Sequence, residues 1–112
     1  VTSGPTTTVD ERRARREGED EARRQRAADE SLEIKDGYLD TLRGYVKDFR
    51  DVGLDYTALL VDFNAWDQTR RANMGRLLPK HKEEVVNAYN LTKGEISKRR
   101  GREQDRKLQA AE

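Results

Sequence analysis

Between Asp10 and Ser31 the chain has no Val, Ile, Leu, Met or aromatic residue, and after Ile96 the only large apolar side chain is Leu108. All the rest of its large apolar residues, Val1 and Val9 aside, lie between Leu32 and Ile96. Burial of apolar surface is the main favourable term in folding, so this uneven split limits what the chain can become. Only the middle can close on itself, and the flanks need company or solvent. Composition agrees: 40% of the 112 residues are charged and 33% hydrophobic, against about 25% and 45–50% in ordinary soluble domains. The expected organisation is a disordered tail and charged helical arm at 1–31, a helical core at 32–91, and a basic helical extension at 92–112.

Within the core the periods are helical. From residue 38 the apolar positions are Tyr38, Leu39, Leu42, Tyr45, Val46, Phe49 and Val52, the spacing of one α-helical face. Asp36 is the expected N-cap and Gly53 the expected stop in the left-handed conformation. A second helix starts at Asp55, whose carboxylate can cap free N–H groups while Leu54 and Leu59 form a staple. Its face runs through Tyr56, Leu59, Leu60, Phe63 and Trp66, and Asn73 and Gly75 are candidate terminators. Leu78-Pro79 opens a third helix, because proline suits a first turn. Asn90 then reads as a stop, and Leu91-Thr92-x-x-Glu95-Ile96 as a capping box and staple that restart a fourth helix near residue 93. The fold class expected is all-α: a small three-helix bundle flanked by charged helical arms.

In the arm, opposite charges recur at four-residue spacing, as in Glu11/Arg15, Glu19/Arg23 and Asp20/Arg24, each pair worth about 0.2–0.5 kcal/mol in a helix. Gly18 costs about 1 kcal/mol against them. The net charge of +1 conceals an acidic middle, net −4 over 31–68, and a basic end, net +6 over 69–112. Such asymmetry bears on partners more than on fold.

Several functions are disfavoured. With no cysteine there is no disulfide framework, Cys-containing zinc site or thiolate nucleophile. No stretch approaches the roughly 18–20 apolar residues of a membrane span; the longest apolar run is Ala58-Leu59-Leu60-Val61. The amino end has no basic patch followed by an apolar core, so no secretory leader is expected, and the expected location is cytoplasmic, or the virion if the source is viral. His81, the single histidine, forms a His-x-x-Glu pair with Glu84 but has no second histidine or cysteine to complete a metal site, so a surface histidine is expected. Asp48, Asp51, Asp55 and Asp62 alternate with bases and read as a solvated face. There is no glycine-rich phosphate cradle. Catalysis, a cofactor, a metal and a small-molecule substrate are therefore not expected.

Two candidate surfaces remain. Aromatic anchors often carry interface energy, which makes Tyr45, Phe49, Phe63 and Trp66 the expected contacts to other subunits or copies. In the extension, Lys98, Arg102 and Arg106 fall on one helical stripe with Arg99 beside them, a pitch able to follow a phosphate backbone. The function expected is a non-catalytic helical subunit of a larger assembly, a virion or nucleoprotein complex. The alternative is a sequence-independent nucleic-acid-binding module using those four cations.

Overall fold

The computed structural model describes residues 8–111, and over these residues the chain is all-α. Helix α1 spans Thr8–Arg50, α2 Tyr56–Asn73 and α3 Pro79–Ala111, with a short 3-10 turn at Met74–Arg76 between the last two. The chain divides into two units at Glu30/Ser31. The expected tail lies, for its first seven residues, outside the described part.

In the first unit every residue from Asp10 to Ala27 is exposed. Its helix is supported locally: Gln25 Nε2 donates to Asp29 Oδ1 at 3.0 Å, and Arg26 Nε to the Ala22 carbonyl at 3.4 Å.

The second unit corrects three expected boundaries. Asp36 does not cap a helix, since α1 passes straight through it and its carboxylate pairs with Lys35 at 3.0 Å. The helix on either side of it is held by tertiary contacts instead: Ile34 and Tyr38 pack against buried Met74, Leu77 and Val85. Gly53 is not left-handed, for no described glycine has positive φ. The turn closes through the Asp51 carboxylate, which accepts the Gly53 N–H at 2.9 Å, an Asx-type arrangement that needs no special backbone. Finally, α3 does not stop at Asn90 and restart. Thr92 Oγ1 donates to the Ala88 carbonyl at 2.9 Å inside the helix, a bond that competes with capping. Glu95 is drawn away to Arg50 at 3.0 Å.

Other local signals are realised. Asp55 caps α2 by accepting the Thr57 N–H at 3.1 Å. Pro79 is the first residue of α3. The core joins all three helices: Leu42 and Phe49 of α1, Phe63 of α2 and Ile96 of α3 are each at most 1% exposed and share one cluster. Phe63 stacks on Tyr89 with centroids 5.9 Å apart and meets Tyr45 edge-on at 5.2 Å.

Within this unit α1 and α3 run in the same direction, tied by polar contacts along their length. Ser31 Oγ accepts the Leu78 N–H at 2.8 Å and lies 2.7 Å from His81 Nδ1. Because the hydroxyl oxygen receives the amide, its own proton is available to the imidazole nitrogen. Ser31, wholly buried, thus caps the start of α3 from another helix. Next along come Lys35–Glu84 at 3.4 Å and Arg50–Glu95 at 3.0 Å.

The far end is closed by Arg99, which is 1% exposed. Its guanidinium donates to the carbonyls of Phe49 at 3.2 Å, Asp51 at 2.9 Å and Leu54, and to Glu103 Oε1 at 2.8 Å. A helix C-terminus leaves carbonyls without intrahelical donors. Here one side chain from α3 satisfies the end of α1 and the loop after it. The buried stripe of α3 therefore runs Val85, Thr92, Ile96, Arg99, with an arginine where a shorter core would place an apolar residue.

Candidate functional site

Between α1 and α3 lies an apolar groove of about 270 Å³. Leu39, Leu42, Arg43 and Val46 line it from α1, and Ala88, Leu91 and Thr92 from α3. Leu42 and Thr92, each 1% exposed, form its floor. Leu39 and Val46 are half-buried, and Leu91 stands at the lip with 73% of its surface free. The volume sits at the lower edge of small-molecule pockets, and the lining offers few polar groups to orient a ligand. It suits apolar side chains from another helix, the helix-in-groove mode.

The groove's geometry follows from helical register. On α1 the lining positions fall at i, i+3, i+4 and i+7, and the two interhelical ion pairs lie four residues outside them, Lys35 before Leu39 and Arg50 after Val46. On α3, Glu84 stands four residues before Ala88 and Glu95 four after Leu91. The pairs bracket the apolar slot at both ends. Their electrostatics are mutual. The bond from Arg50 holds the Glu95 carboxyl below its ordinary value, with Lys98 adding to it, and the same bond raises the Arg50 guanidinium. Lys35 is held up by its bond to Asp36 first, with Glu84 reinforcing it against a loss of hydration.

The aromatic residues singled out in the sequence come together in the core. Phe49 and Phe63 are wholly buried inside the chain's own fold, which leaves them no surface for another subunit. Tyr45 and Trp66 are half-buried and packed against the same cluster, with ring centroids 5.7 Å apart. Burial, then Asp62 and Asp48, push the Tyr45 hydroxyl above its usual range. The basic stripe is broken up. Arg99 is consumed by backbone carbonyls and Glu103. Lys98 pairs with Glu95 at 3.5 Å and Arg106 with Glu103 at 3.3 Å. Arg102 is exposed and, among the described residues, in no ion pair. His81 and Glu84 have separate partners, Ser31 and Lys35.

A second buried polar cluster lies on α2. Asp67, 6% exposed, accepts from Arg70 through Nε at 2.9 Å and a terminal nitrogen at 2.7 Å, from Arg71 at 3.1 Å and from the Tyr89 hydroxyl at 3.2 Å. Arg70 also lies over the Tyr89 ring at 4.2 Å. Every group here is satisfied within the chain, so the cluster locks α2 to α3 and offers no open chemistry.

The groove was missed in the sequence, although a signal for it exists. The adjacent pairs Tyr38-Leu39 and Tyr45-Val46, a heptad apart, give α1 more apolar width than one partner helix can cover. Comparison with known proteins finds no matching family model, no matching curated protein and no matching solved structure.

Proposed function

We propose that the chain is a non-catalytic helical subunit of a multisubunit assembly, of the virion or nucleoprotein kind, acting through protein–protein contacts. Its core is read as a small three-helix bundle with charged helical arms. The observation that carries this reading is the α1/α3 groove with Leu91 exposed at its lip. The chain presents a hole and a knob side by side, which is the requirement for an isologous contact in which each copy's Leu91 enters the other's groove. The groove alone is far smaller than the ~1,000 Å² a stable interface needs, so it serves as the central anchor of a wider contact.

Sedimentation of the full chain at micromolar concentration tests this. At ~500 mM salt, where contacts between exposed charges are screened, the wild type associates, while Leu91→Asp, at a surface position where substitution usually moves stability by no more than about 0.5 kcal/mol, stays folded and sediments as a monomer. A wild-type chain that is a folded monomer throughout that range defeats the reading. The nucleic-acid alternative rests on Lys98, Arg102 and Arg106 without Arg99. It takes over if the chain binds arbitrary duplex DNA with steep salt dependence and Arg102→Glu abolishes that binding.

A further inference from the structure

The arm carries a pattern of its own. Residues 10–27 are all exposed and all helical, and a helix polar on every side is supported by charge pairs or by a neighbour. At about 100° per residue, the seven arginines between Arg12 and Arg26 fall within one half of the circumference. The opposite half holds five carboxylates, Asp10, Glu11, Glu17, Glu21 and Asp29, and no base. Ala14, Gly18 and Ala22 stand among those carboxylates at four-residue spacing, and a Cβ added at Gly18 would meet nothing within 4 Å. Glu19, Asp20 and Glu30 do lie in the arginine half. Each is four residues from an arginine, namely Arg23, Arg24 and Arg26, the spacing of intrahelical pairs. Four arginines, Arg12, Arg13, Arg15 and Arg16, are gathered within two turns.

We propose that this arm pairs lengthwise with the arm of a second copy, arginine half against carboxylate half. The charge pattern selects that occupant over a polyanion. Over residues 10–30 acids outnumber bases by eight to seven, so the arm exerts no long-range attraction on phosphate. Its acidic half also lies only a helix diameter behind the arginines, about 10–12 Å, close to the ~8 Å screening length at physiological salt. A second arm brings the complementary surface in equal amount. All seven bases are arginine, whose planar fork meets carboxylates in bidentate fashion. Small side chains in the carboxylate half let the two backbones approach. Because the two halves differ, the contact is heterologous and can be repeated from copy to copy.

This contact is polar and separate from the groove, so it is tested in the Leu91→Asp background, where the groove contributes nothing. In that background the full chain self-associates at low salt, ~50 mM, and roughly tenfold more weakly at ~500 mM. Reversing the arginine half (Arg12→Glu, Arg16→Glu, Arg23→Glu) abolishes association. Reversing the carboxylate half (Asp10→Arg, Glu17→Arg, Glu21→Arg) does the same. An equimolar mixture of the two reversed chains associates again, as a heteromer. That mixture keeps the test decisive even if one variant loses arm helicity alone, since residues 10–30 then carry net −7 in one chain and +5 in the other, and that excess charge attracts only between chains. The proposal is overturned if the Leu91→Asp chain is a monomer at low salt, if neither reversal weakens association, or if the mixture does not restore it. It is equally overturned if the arginine reversal abolishes binding to duplex DNA and leaves self-association intact.

Discussion

Arg99→Met is the most informative single change to the fold. Methionine keeps a long unbranched apolar stem, so the packing of the arginine's methylenes is largely preserved. What disappears is the guanidinium, with its bonds to the carbonyls of Phe49, Asp51 and Leu54 and to Glu103. Hydrogen bonds from a charged donor contribute about 1.5–3 kcal/mol each, but the full sum is not lost. Asp51 and Leu54 are exposed residues, so water can replace the donor there. Phe49 is wholly buried, and its carbonyl is left with one donor fewer. A cost of about 2–4 kcal/mol results. That is a large share of the 5–15 kcal/mol typical of a domain, and it corresponds to a fall in Tm of roughly 8–30 °C for a unit of this size. Urea unfolding followed by Trp66 fluorescence and far-ultraviolet circular dichroism measures it, with the same transition seen by both probes. Arg99→Lys, which keeps the charge but not the fork, falls between the two. If Arg99→Met lies within about 0.5 kcal/mol of wild type, the guanidinium is not what fastens α3 to the end of α1.

Ser31→Ala removes both the cap on the Leu78 N–H and the partner of His81 and lowers stability by about 1–2 kcal/mol, measured by the same urea titration. Asp67→Ala leaves Arg70 without its carboxylate at a site where that side chain is 8% exposed; a loss of roughly 3 kcal/mol is expected, and an effect near zero would mean the cluster contributes nothing to stability. The carboxyls of Glu95 and Glu103 titrate below their ordinary 4.5 in the folded chain, held down chiefly by bonds from Arg50 and Arg99 respectively. Their contribution is thus complete above pH 4.5 and is lost as pH falls through the lower folded values; a Glu95→Gln chain shows a shallower decline of urea midpoint with acidification. In hydrogen exchange, amides of residues 10–27 are replaced far sooner than those around Phe63 and Ile96 at protein concentrations too low for association, because protection follows burial and contact density.

How far the sequence discloses this fold depends on the range of the interaction concerned. Asp55 and Pro79 mark helix starts correctly because their effects are contained within one turn: a carboxylate meeting the Thr57 N–H, and a ring with no N–H to lose. Phe49, Phe63 and Ile96 read as apolar periodic positions and form the core. Asp36 and Thr92-x-x-Glu95 carry equally good local signals and yet cap nothing. Their side chains have competing partners: Lys35 for Asp36, the Ala88 carbonyl for Thr92 and, 45 residues away, Arg50 for Glu95. Local preferences of about 1 kcal/mol yield to such contacts when α1 is also held through Ser31, Ile34 and Tyr38 and α3 through Ile96 and Arg99. Arg99 carries the faintest sequence signal of all. A surface cation and a buried one look alike in sequence, and the clue is register: it falls three residues after Ile96 and seven after Thr92, on the stripe that faces inward.

The same polar contacts explain why a groove exists at all. Two helices joined by apolar side chains alone approach to about 8–10 Å and interdigitate, and nothing is left between them. In this chain α1 and α3 meet in apolar contact beside Val85 and in the core shared with α2, and are otherwise joined by Ser31, Lys35–Glu84, Arg50–Glu95 and Arg99, side chains that reach from helix to helix. Leu39, Val46 and Leu91 are thereby held near one another without being pressed together. Shortening the ties should close the slot, whereas removing its lip should not. Arg50→Ala with Glu95→Ala, a pair whose side chains are 63% and 12% exposed and so worth about 1 kcal/mol or less, is therefore expected to let α3 settle onto α1 at that end and to weaken association through the groove as Leu91→Asp does, with only a small fall in the urea midpoint. Weakened association in Leu91→Asp but unaltered association in the Arg50/Glu95 double variant would show that the exposed leucine acts without the slot beside it.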